Sequence, residues 1–350
     1  MRKRIKVLVI DDMAMVREIL AKGLALDPEI EVVGTATDPY AAKDQILRLR
    51  PDVLTLDVEM PKMDGVEFLK RLMPQYPLPV VMVSSLTERG KKITFDALQA
   101  GAVDFVSKPS TDIARGLNAM LAELREKVKS ASIANVSHWK RKKSSRSPAN
   151  VIKCKALAKT TDKIVAIGAS TGGTEAIKEV VTRFPQMMPG VVIVQHMPAG
   201  FTKMFADRLN DLCAMSAKEA ENGDRIMPGK ILLAPGGYHM KVRRSGGEYY
   251  VETKRGELVN GHCPSVEVLM NSVAENAGAN AVGVILTGMG ADGADALKNM
   301  REAGARTLAQ DEASSVVFGM PKAAWERGGA EELKPLGNIA KRVIELINNA

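Results

Sequence analysis

Short apolar runs alternate with helix-length amphipathic stretches in the first third of the chain. Strands that read as continuous Val, Ile and Leu runs between helices are typical of a parallel sheet with both faces covered. The alternation therefore predicts an α/β domain with five strands and five helices. The predicted strands are 7–10, 32–35, 53–56, 80–83 and 105–106, and the predicted helices are 14–26, 39–49, 65–73, 91–100 and 113–127.

A second α/β pattern begins at residue 163. Apolar runs at 164–167, 191–194, 230–233 and 281–286 are separated by helical stretches, and Gly-rich turns follow most of them. The segments 238–242 and 248–253 predict an added hairpin with its turn at 245–247. Residues 339–348 predict a terminal helix. The C-terminal half is therefore predicted to be a doubly wound parallel-sheet α/β domain.

The net charge of +8 is confined to one short segment between these two patterns. Residues 1–127 carry 19 basic and 19 acidic side chains, residues 128–159 carry 9 basic and none acidic, and residues 160–350 carry 21 and 22. The Ser, Pro and charge content of the middle segment favours a solvated linker, with contact to an acidic partner or a phosphate as the alternative. The predicted domains are therefore 1–127 and 160–350, with a linker at 128–159.

The chain also lacks the usual signals of export or membrane insertion. No apolar run approaches the length of a membrane span, and the basic start leads directly into a strand rather than a signal-peptide core. The three cysteines are scattered without metal-ligand spacing, as expected for reduced thiols. We therefore expect a cytoplasmic protein that is not inserted in a membrane.

Polar side chains follow four of the predicted strands in the N-terminal domain. Asp11 and Asp12 follow the first strand, Asp57 closes the third, Ser84 closes the fourth, and Lys108 follows the fifth. Because the carboxyl ends of parallel strands share one edge of a sheet, we expect these groups to converge. Carboxylates beside a lysine suit Mg²⁺ and phosphoryl oxygens. One carboxylate could attack a phosphoryl donor while the metal, the ammonium and the hydroxyl neutralise the developing charge.

The C-terminal pattern opens on an apolar strand that leads into a Gly-flanked serine. Gly168 before Ser170, with Gly172 and Gly173 after it, lets the chain turn sharply and leaves the hydroxyl exposed near a helix start. The spacing fits the nucleophile elbow of serine hydrolases, although a serine in such a turn can also be a helix cap. The role of Ser170 therefore depends on its partners.

Two further strand ends offer partners for Ser170. His196 follows the 191–194 run and is a candidate base, and Asp292 stands among glycines after the 281–286 run. Asp292 would orient His196 and stabilise the imidazolium that forms as the ring takes the serine proton. The backbone at Met289, between two glycines of the same turn, could aim its N–H at the substrate oxyanion.

The chain order of these candidates separates two classes of serine hydrolase. An α/β-hydrolase places its histidine after the acid, and no histidine follows Asp292. The α/β-hydrolase alternative would need His239 or His262, with an acid such as Asp224 before it.

Residues 5 to about 127 closely resemble a response-regulator receiver domain, which implies a flavodoxin-like (βα)5 fold. The matching segments are Asp11-Asp12, Leu56-Asp57-x-x-Met60-Pro61-x-Met63-Asp64-Gly65, Ser84 and Phe105-Val-Ser-Lys108-Pro109. The resemblance implies that Asp57 accepts a phosphoryl group from a histidine kinase. Asp11 and Asp12, together with Asp57, would hold Mg²⁺.

The same resemblance assigns the response to phosphorylation to three further residues. Lys108 would contact the phosphoryl oxygens. Ser84 and Phe105 would report the change to the rest of the domain.

Residues from about 160 to 348 resemble the catalytic domain of chemotaxis protein-glutamate methylesterases. The matching segments are Gly168-Ala-Ser-Thr-Gly-Gly173, Gln195-His-Met-Pro198, Leu233-Ala-Pro-Gly-Gly237, Gly261-His-Cys-Pro-Ser265 and Leu286-Thr-Gly-Met-Gly-Ala-Asp-Gly293. The resemblance implies that Ser170 is the nucleophile, His196 the general base and acid, and Asp292 the orienting acid. The Met289 amide would be an oxyanion donor.

The implied reaction is hydrolysis of glutamate γ-methyl esters on the cytoplasmic helices of chemoreceptors, which releases methanol and restores glutamate. Deamidation of receptor glutamines is a second implied activity. The ester chemistry needs no cofactor, whereas receiver phosphorylation needs Mg²⁺ and a chemotaxis histidine kinase as donor. Our regulatory hypothesis is that the receiver covers the Ser170 site and moves when Asp57 is phosphorylated.

Two other classes of output remain as alternatives. A different serine-hydrolase output would keep the receiver and change the substrate. A DNA-binding regulator would need a helix-turn-helix output, but this half has strands, Gly-rich loops and near-neutral charge. Nucleotide binding is disfavoured because the glycines at 168, 172 and 173 lack the spacing and the lysine of a phosphate-binding loop.

Overall fold

The computed structural model describes residues 3–85, 87–109, 113–141 and 162–348. The chain divides into two compact units, Met1–Arg146 and Ser147–Ala350, and each is described by itself. Residues 142–159 of the predicted linker lie outside the described residues. No helix in the described ranges is both long and apolar enough to cross a lipid bilayer.

The first unit is a five-stranded parallel sheet with helices between the strands. The strand order is β2-β1-β3-β4-β5, which is the flavodoxin-like order, so the predicted fold is confirmed. The strands are β1 (Ile5–Ile10), β2 (Ile30–Ala36), β3 (Val53–Asp57), β4 (Val80–Ser84) and β5 (Asp104–Ser107). The helices are α1 (Ala14–Ala25), α2 (Pro39–Leu49), α3 (Gly65–Gln75), α4 (Glu88–Ala100) and α5 (Ile113–Ser132), followed by a 3-10 helix at Ser137–Arg141.

The direction of chain winding reverses between β1 and β3. All residues of β3 are buried, as are the last four of β1, because helices cover both faces of the sheet. Ligands of open α/β sheets bind beyond the carboxyl ends of strands at such a reversal. Asp11 and Asp57 stand at these two ends.

The boundary of the predicted linker at residue 128 needs correction. Helix α5 continues to Ser132, and Val128 and Ala131 on it are fully buried. Val136 is buried as well, and the Trp139 ring lies 2.9 Å from where a Cβ on Gly101 would be. The basic charge count overlooked these apolar residues, which pack the segment 128–141 into the first unit. The boundary at residue 160 stays a prediction.

The second unit is built on a seven-stranded parallel sheet in the order β15-β14-β13-β6-β7-β10-β8, with a separate antiparallel sheet β11-β12-β9. The strands are β6 (Ile164–Ala169), β7 (Gly190–Gln195), β8 (Ser216–Glu219), β9 (Arg225–Ile226), β10 (Lys230–Leu233), β11 (His239–Ser245), β12 (Glu248–Lys254), β13 (Ala281–Ile285), β14 (Arg306–Gln310) and β15 (Glu332–Lys334). The helices are α6 (Gly173–Val181), α7 (Phe201–Leu212), α8 (Val266–Asn276), α9 (Ala294–Glu302), α10 (Met320–Glu326) and α11 (Leu336–Asn348), with a 3-10 helix at Gly278–Asn280.

Strand β6 is the point at which this second sheet winds in two directions. The chain passes from β6 to β7 on one side and later reaches β13 on the other side. The predicted doubly wound sheet is therefore confirmed, and so is the predicted hairpin, which is β11 and β12. The carboxyl ends of β6, β7 and β13 meet at one edge.

Candidate active site

Ser170 directly follows the central strand β6, between β7 and β13. Its backbone is held from both sides: its N–H donates to the Thr287 carbonyl at 3.0 Å, and its carbonyl accepts from Gln195 Nε2 at 2.9 Å. The Ser170 carbonyl also accepts from the Gly173 N–H at 2.7 Å, which closes the turn into α6. The turn after β6 is therefore rigidly placed.

The turn after β13 is packed so closely that position 288 requires glycine. A Cβ on Gly288 would lie 2.8 Å from Ser170 Cβ and 2.3 Å from Met320 Sδ. The Gly288 N–H donates to the Val317 carbonyl at 3.1 Å. Because only a residue without a side chain fits here, the Gly288–Met289 peptide can lie against Ser170. The oxyanion role of the Met289 amide stays a prediction.

His196 follows β7 and continues its pairing with β6, since its N–H donates to the Ala169 carbonyl at 3.1 Å. Its ring Nε2 lies 2.8 Å from Asp292 Oδ2. Among the described residues, its Nδ1 is buried and has no hydrogen-bond partner. A carboxylate accepts only, so Nε2 carries the proton and Nδ1 presents a lone pair. In the chymotrypsin-type triad, by contrast, it is Nδ1 that contacts the acid.

Asp292 is buried, and hydrogen-bond donors surround its carboxylate. Within the described part of the chain, the donors to Oδ2 are His196 Nε2 (2.8 Å) and Val266 N (2.7 Å), and the donors to Oδ1 are Asn260 Nδ2 (2.9 Å), Ser265 Oγ (2.8 Å) and Glu267 N (3.3 Å). Burial alone would raise the pKa of Asp292, but the hydrogen bonds from His196, Asn260 and Ser265 outweigh it and lower the pKa to about 2. Asp292 is therefore a fixed anion.

The pKa of Asp292 predicts how acid affects stability. An unfolded aspartate titrates at 3.8, so the contribution of Asp292 is fully present above that pH and is lost as the pH falls through about 2. The difference corresponds to about 2 kcal/mol. We expect the melting temperature of Asp292→Asn to lie below that of the wild type at pH 7, and the gap to narrow between pH 4 and pH 2. A gap that stays constant over this range would contradict the assignment.

Sequence reasoning missed two contacts of the candidate base and the candidate acid. The His262 ring stacks on the His196 ring, with centroids 3.6 Å apart and planes 16° from parallel. Asn260, two residues earlier, bonds to Asp292. The sequence signal for these contacts was the segment 261–265, which contains His262 and directly follows Asn260. The family resemblance includes this segment but assigns no role to it.

The α/β-hydrolase alternative is wrong for this structure. His239 Nε2 bonds to the Glu257 carbonyl at 2.8 Å, and the His262 ring packs on His196. Asp224 instead pairs with Lys218 and Lys230, at 3.1 and 3.4 Å. This carboxylate is therefore engaged by lysines rather than by a histidine.

The predicted acidic site of the first unit is assembled at the ends of β1 and β3. Carboxylate oxygens of Asp11, Asp12 and Asp57 all lie within 4.8 Å of one another, and Lys108 Nζ lies 3.0 Å from both Asp11 Oδ2 and Asp57 Oδ2. Burial raises the pKa of Asp57 to about 6, although the Lys108 ammonium opposes the shift. Three hard oxygen ligands in reach of one another fit Mg²⁺.

The two predicted reporter residues lie on β4 and β5. Ser84 is buried, and its hydroxyl accepts a hydrogen bond from Thr94 Oγ1 on α4 at 2.5 Å. The Phe105 ring is buried, and Lys127 Nζ lies 5.1 Å from its centroid. Ser84 is therefore linked to α4 in this structure.

Comparison with known proteins places both units in one family. Residues 165–343 match the CheB methylesterase family model, and residues 7–121 match the response regulator receiver domain model. The protein-glutamate methylesterase/protein-glutamine glutaminase of Syntrophotalea carbinolica is 67% identical over 99% of this chain and 99% of that protein. A relative of the same name, numbered 2, from Syntrophomonas wolfei is 54% identical over 99% of this chain and 98% of that protein. The crystal structure of the Thermotoga maritima CheB methylesterase catalytic domain is 37% identical, with a TM-score of 0.51 over 53% of this chain and 98% of that chain. The chain therefore belongs to the CheB methylesterase family, with a response regulator receiver domain ahead of the catalytic domain.

Proposed function

We propose that this chain hydrolyses glutamate γ-methyl esters on the cytoplasmic helices of chemoreceptors, and that it also deamidates receptor glutamines. The observation that carries the proposal is the 2.8 Å contact between His196 Nε2 and Asp292, which leaves Nδ1 as the basic nitrogen. Both ring and carboxylate stand at strand ends that flank the end of β6, where Ser170 lies.

In the first half of the reaction, Ser170 Oγ attacks the side-chain carbonyl and its proton passes to His196 Nδ1. The Asp292 anion stabilises the resulting imidazolium through Nε2–H. The Met289 N–H donates to the oxyanion of the tetrahedral intermediate. The intermediate collapses to an acyl-serine, and the Nδ1 proton leaves with methanol, or with ammonia from a glutamine.

In the second half, water attacks the acyl-serine and gives its proton to Nδ1. The second tetrahedral intermediate then expels Ser170 Oγ, which takes that proton back. The products are glutamate on the receptor and the regenerated enzyme.

Methanol release from a methylated receptor tests this function. We expect the wild type to release methanol and to leave glutamate at the same position, and to release ammonia from a receptor with glutamine there. His196→Gln is expected to lower both rates by about 10³-fold or more, because the base is lost. Wild-type enzyme that releases no methanol above the rate of an unmethylated receptor would contradict the proposal.

We further propose that phosphorylation of Asp57 by a chemotaxis histidine kinase regulates this activity. Asp57 would attack the phosphoryl group, and the Lys108 ammonium would contact its oxygens. Asp11, Asp12 and Asp57 would hold Mg²⁺, which when bound neutralises charge on the phosphoryl oxygens. A phosphoryl group that draws the Ser84 hydroxyl away from Thr94 would change how β4 is joined to α4.

This regulation predicts a defined response to a small phosphoryl donor. With Mg²⁺ and acetyl phosphate, methanol release by the full chain is expected to rise about tenfold, a typical coupling between sites. Asp57→Asn keeps the size of the side chain but cannot accept the phosphoryl group, so its rate should not respond. Asp44→Asn, at an exposed acid on α2, is the matched control and should respond like the wild type. Stimulation of Asp57→Asn equal to that of the wild type would contradict the assignment.

A further inference from the structure

Helices α8 and α9 exchange caps around the catalytic acid. Asp292 lies two residues before α9, yet its carboxylate accepts from the N–H groups of Val266 and Glu267 at the start of α8, at 2.7 and 3.3 Å. In return, Glu267 Oε2 accepts from the N–H of Gly293, the cap of α9, at 3.0 Å. A carboxylate at the start of each helix therefore accepts hydrogen bonds from backbone amides at the start of the other helix.

The turn that carries Asp292 has little conformational preference of its own. Gly290 and Gly293 both adopt positive φ values, 80° and 85°. Glycine loses more backbone freedom on folding than any other residue, so a glycine-rich turn holds its shape only through outside contacts. The Glu267 carboxylate supplies such a contact at the peptide directly after Asp292.

The surroundings of Glu267 disfavour its negative charge, yet its carboxylate is held in place by hydrogen bonds. The residue is half-buried, and burial raises its pKa, although the amides of Ala296 and Gly293 oppose that shift. The carboxylates of Asp292 and Asp295 repel it and raise its pKa further. Asn271 Nδ2, one turn along α8, reaches the other carboxylate oxygen at 3.5 Å.

We infer that Glu267 is a positioning residue for the Ser-His-Asp reaction. Its side chain fixes the Asp292–Gly293 peptide and so holds the Asp292 carboxylate against His196 Nε2. It would act through Asp292, since its two carboxylate oxygens contact Gly293 and Asn271. The inference rests on the proposed function, because it concerns the rate of that same reaction.

Three substitutions separate position from charge. Glu267→Gln keeps the acceptor oxygen at the same reach and removes the charge. Glu267→Asp keeps the charge but is one methylene too short to reach Gly293. Glu267→Ala removes both. If the position of the acceptor oxygen matters, kcat for methanol release by Glu267→Gln should stay within about threefold of the wild-type value. It should fall about tenfold in Glu267→Asp and about 30-fold in Glu267→Ala, which corresponds to losing one to two hydrogen bonds.

The experiment measures kcat and KM for methanol release by the full chain, with melting temperatures in parallel. KM is expected to stay within about twofold throughout, because a residue that acts through Asp292 changes the chemical step rather than substrate binding. Glu275→Gln, at an exposed acid near the other end of α8, is the matched control and should equal the wild type. If Glu267→Ala does not fold, the comparison of kcat between Glu267→Gln and Glu267→Asp still distinguishes position from charge.

Two outcomes would overturn the inference. The first is that all folded variants keep the wild-type kcat and only their melting temperature falls, which would show that Glu267 has a purely structural role. The second is a kcat at least as high in Glu267→Asp as in Glu267→Gln, which would show that kcat depends on the charge of residue 267 rather than on the position of its acceptor oxygen. Failure of the proposed function would look different, because the wild-type enzyme itself would then release no methanol.

Discussion

Ser170→Ala is expected to abolish measurable ester hydrolysis, with kcat for methanol release at least about 10⁴-fold below the wild type. The substitution removes the enzyme oxygen that attacks the substrate carbon in the first step, so the acyl-serine cannot form. The backbone contacts of residue 170 to Thr287 and Gln195 do not involve its side chain, so folding should be unaffected. The assay is methanol release from methylated receptor at saturating substrate, with a melting curve for each protein.

Ser245→Ala is the matched control for that substitution. Ser245 is an exposed serine at the end of β11 in the same unit, and its loss should leave kcat unchanged. If Ser170→Ala kept more than about one hundredth of the wild-type kcat, a nucleophile other than Ser170 would be required.

Asp292→Asn should lower kcat by about 10³- to 10⁴-fold, as expected when an orienting acid is replaced by its amide. Among the residues that the structure describes, both carboxylate oxygens of Asp292 face only donors, so the amide NH₂ of the variant must meet a donor on one side or the other. If the amide nitrogen faces His196, the ring must turn its Nε2 lone pair toward it and carry the proton on Nδ1. The nitrogen that should take the Ser170 proton would then no longer be a base.

Asp295→Asn is the matched control, which tests whether loss of any carboxylate near the start of α9 lowers kcat. Asp295 is exposed and pairs with Arg327 at 2.6 Å, so its removal should change kcat by less than about twofold. An Asp292→Asn enzyme with more than one tenth of the wild-type kcat would show that the anion does not set the histidine tautomer.

Strand ends were the most predictable feature of this chain. The apolar runs located all five strands of the first sheet and β6, β7, β10 and β13 of the second. The rule that side chains gather beyond the carboxyl ends of parallel strands then selected Ser170, His196 and Asp292 together. Strand β14 in the interior of the second sheet was not predicted, and neither were β9 and the short edge strands β8 and β15. The sequences of β8 and β15, Ser-Ala-Lys-Glu and Glu-Leu-Lys, are largely polar, so they lack the apolar run that located the predicted strands of this sheet.

The surroundings of Asp292, the proposed catalytic acid, could not be predicted from local sequence. Asn260, Ser265 and the start of α8 reach Asp292 across 25 to 32 positions of chain, and only the packing of α8 beside α9 brings them there. The choice of ring nitrogen at His196 is likewise a matter of ring orientation, which spacing does not determine. The linker start was misplaced for a related reason, since charge composition hid the buried Val128 and Ala131.

The most direct test of the central claim is covalent labelling of the full chain with a fluorophosphonate, followed by peptide mapping and the methanol-release assay on the same sample. Such reagents phosphonylate an activated serine hydroxyl. We predict one label, on Ser170, with methanol release lost in proportion to the labelled fraction and with labelling at least about 100-fold slower in His196→Gln. A label that maps to another residue as activity is lost, or full methanol release by enzyme whose Ser170 is modified, would contradict the account.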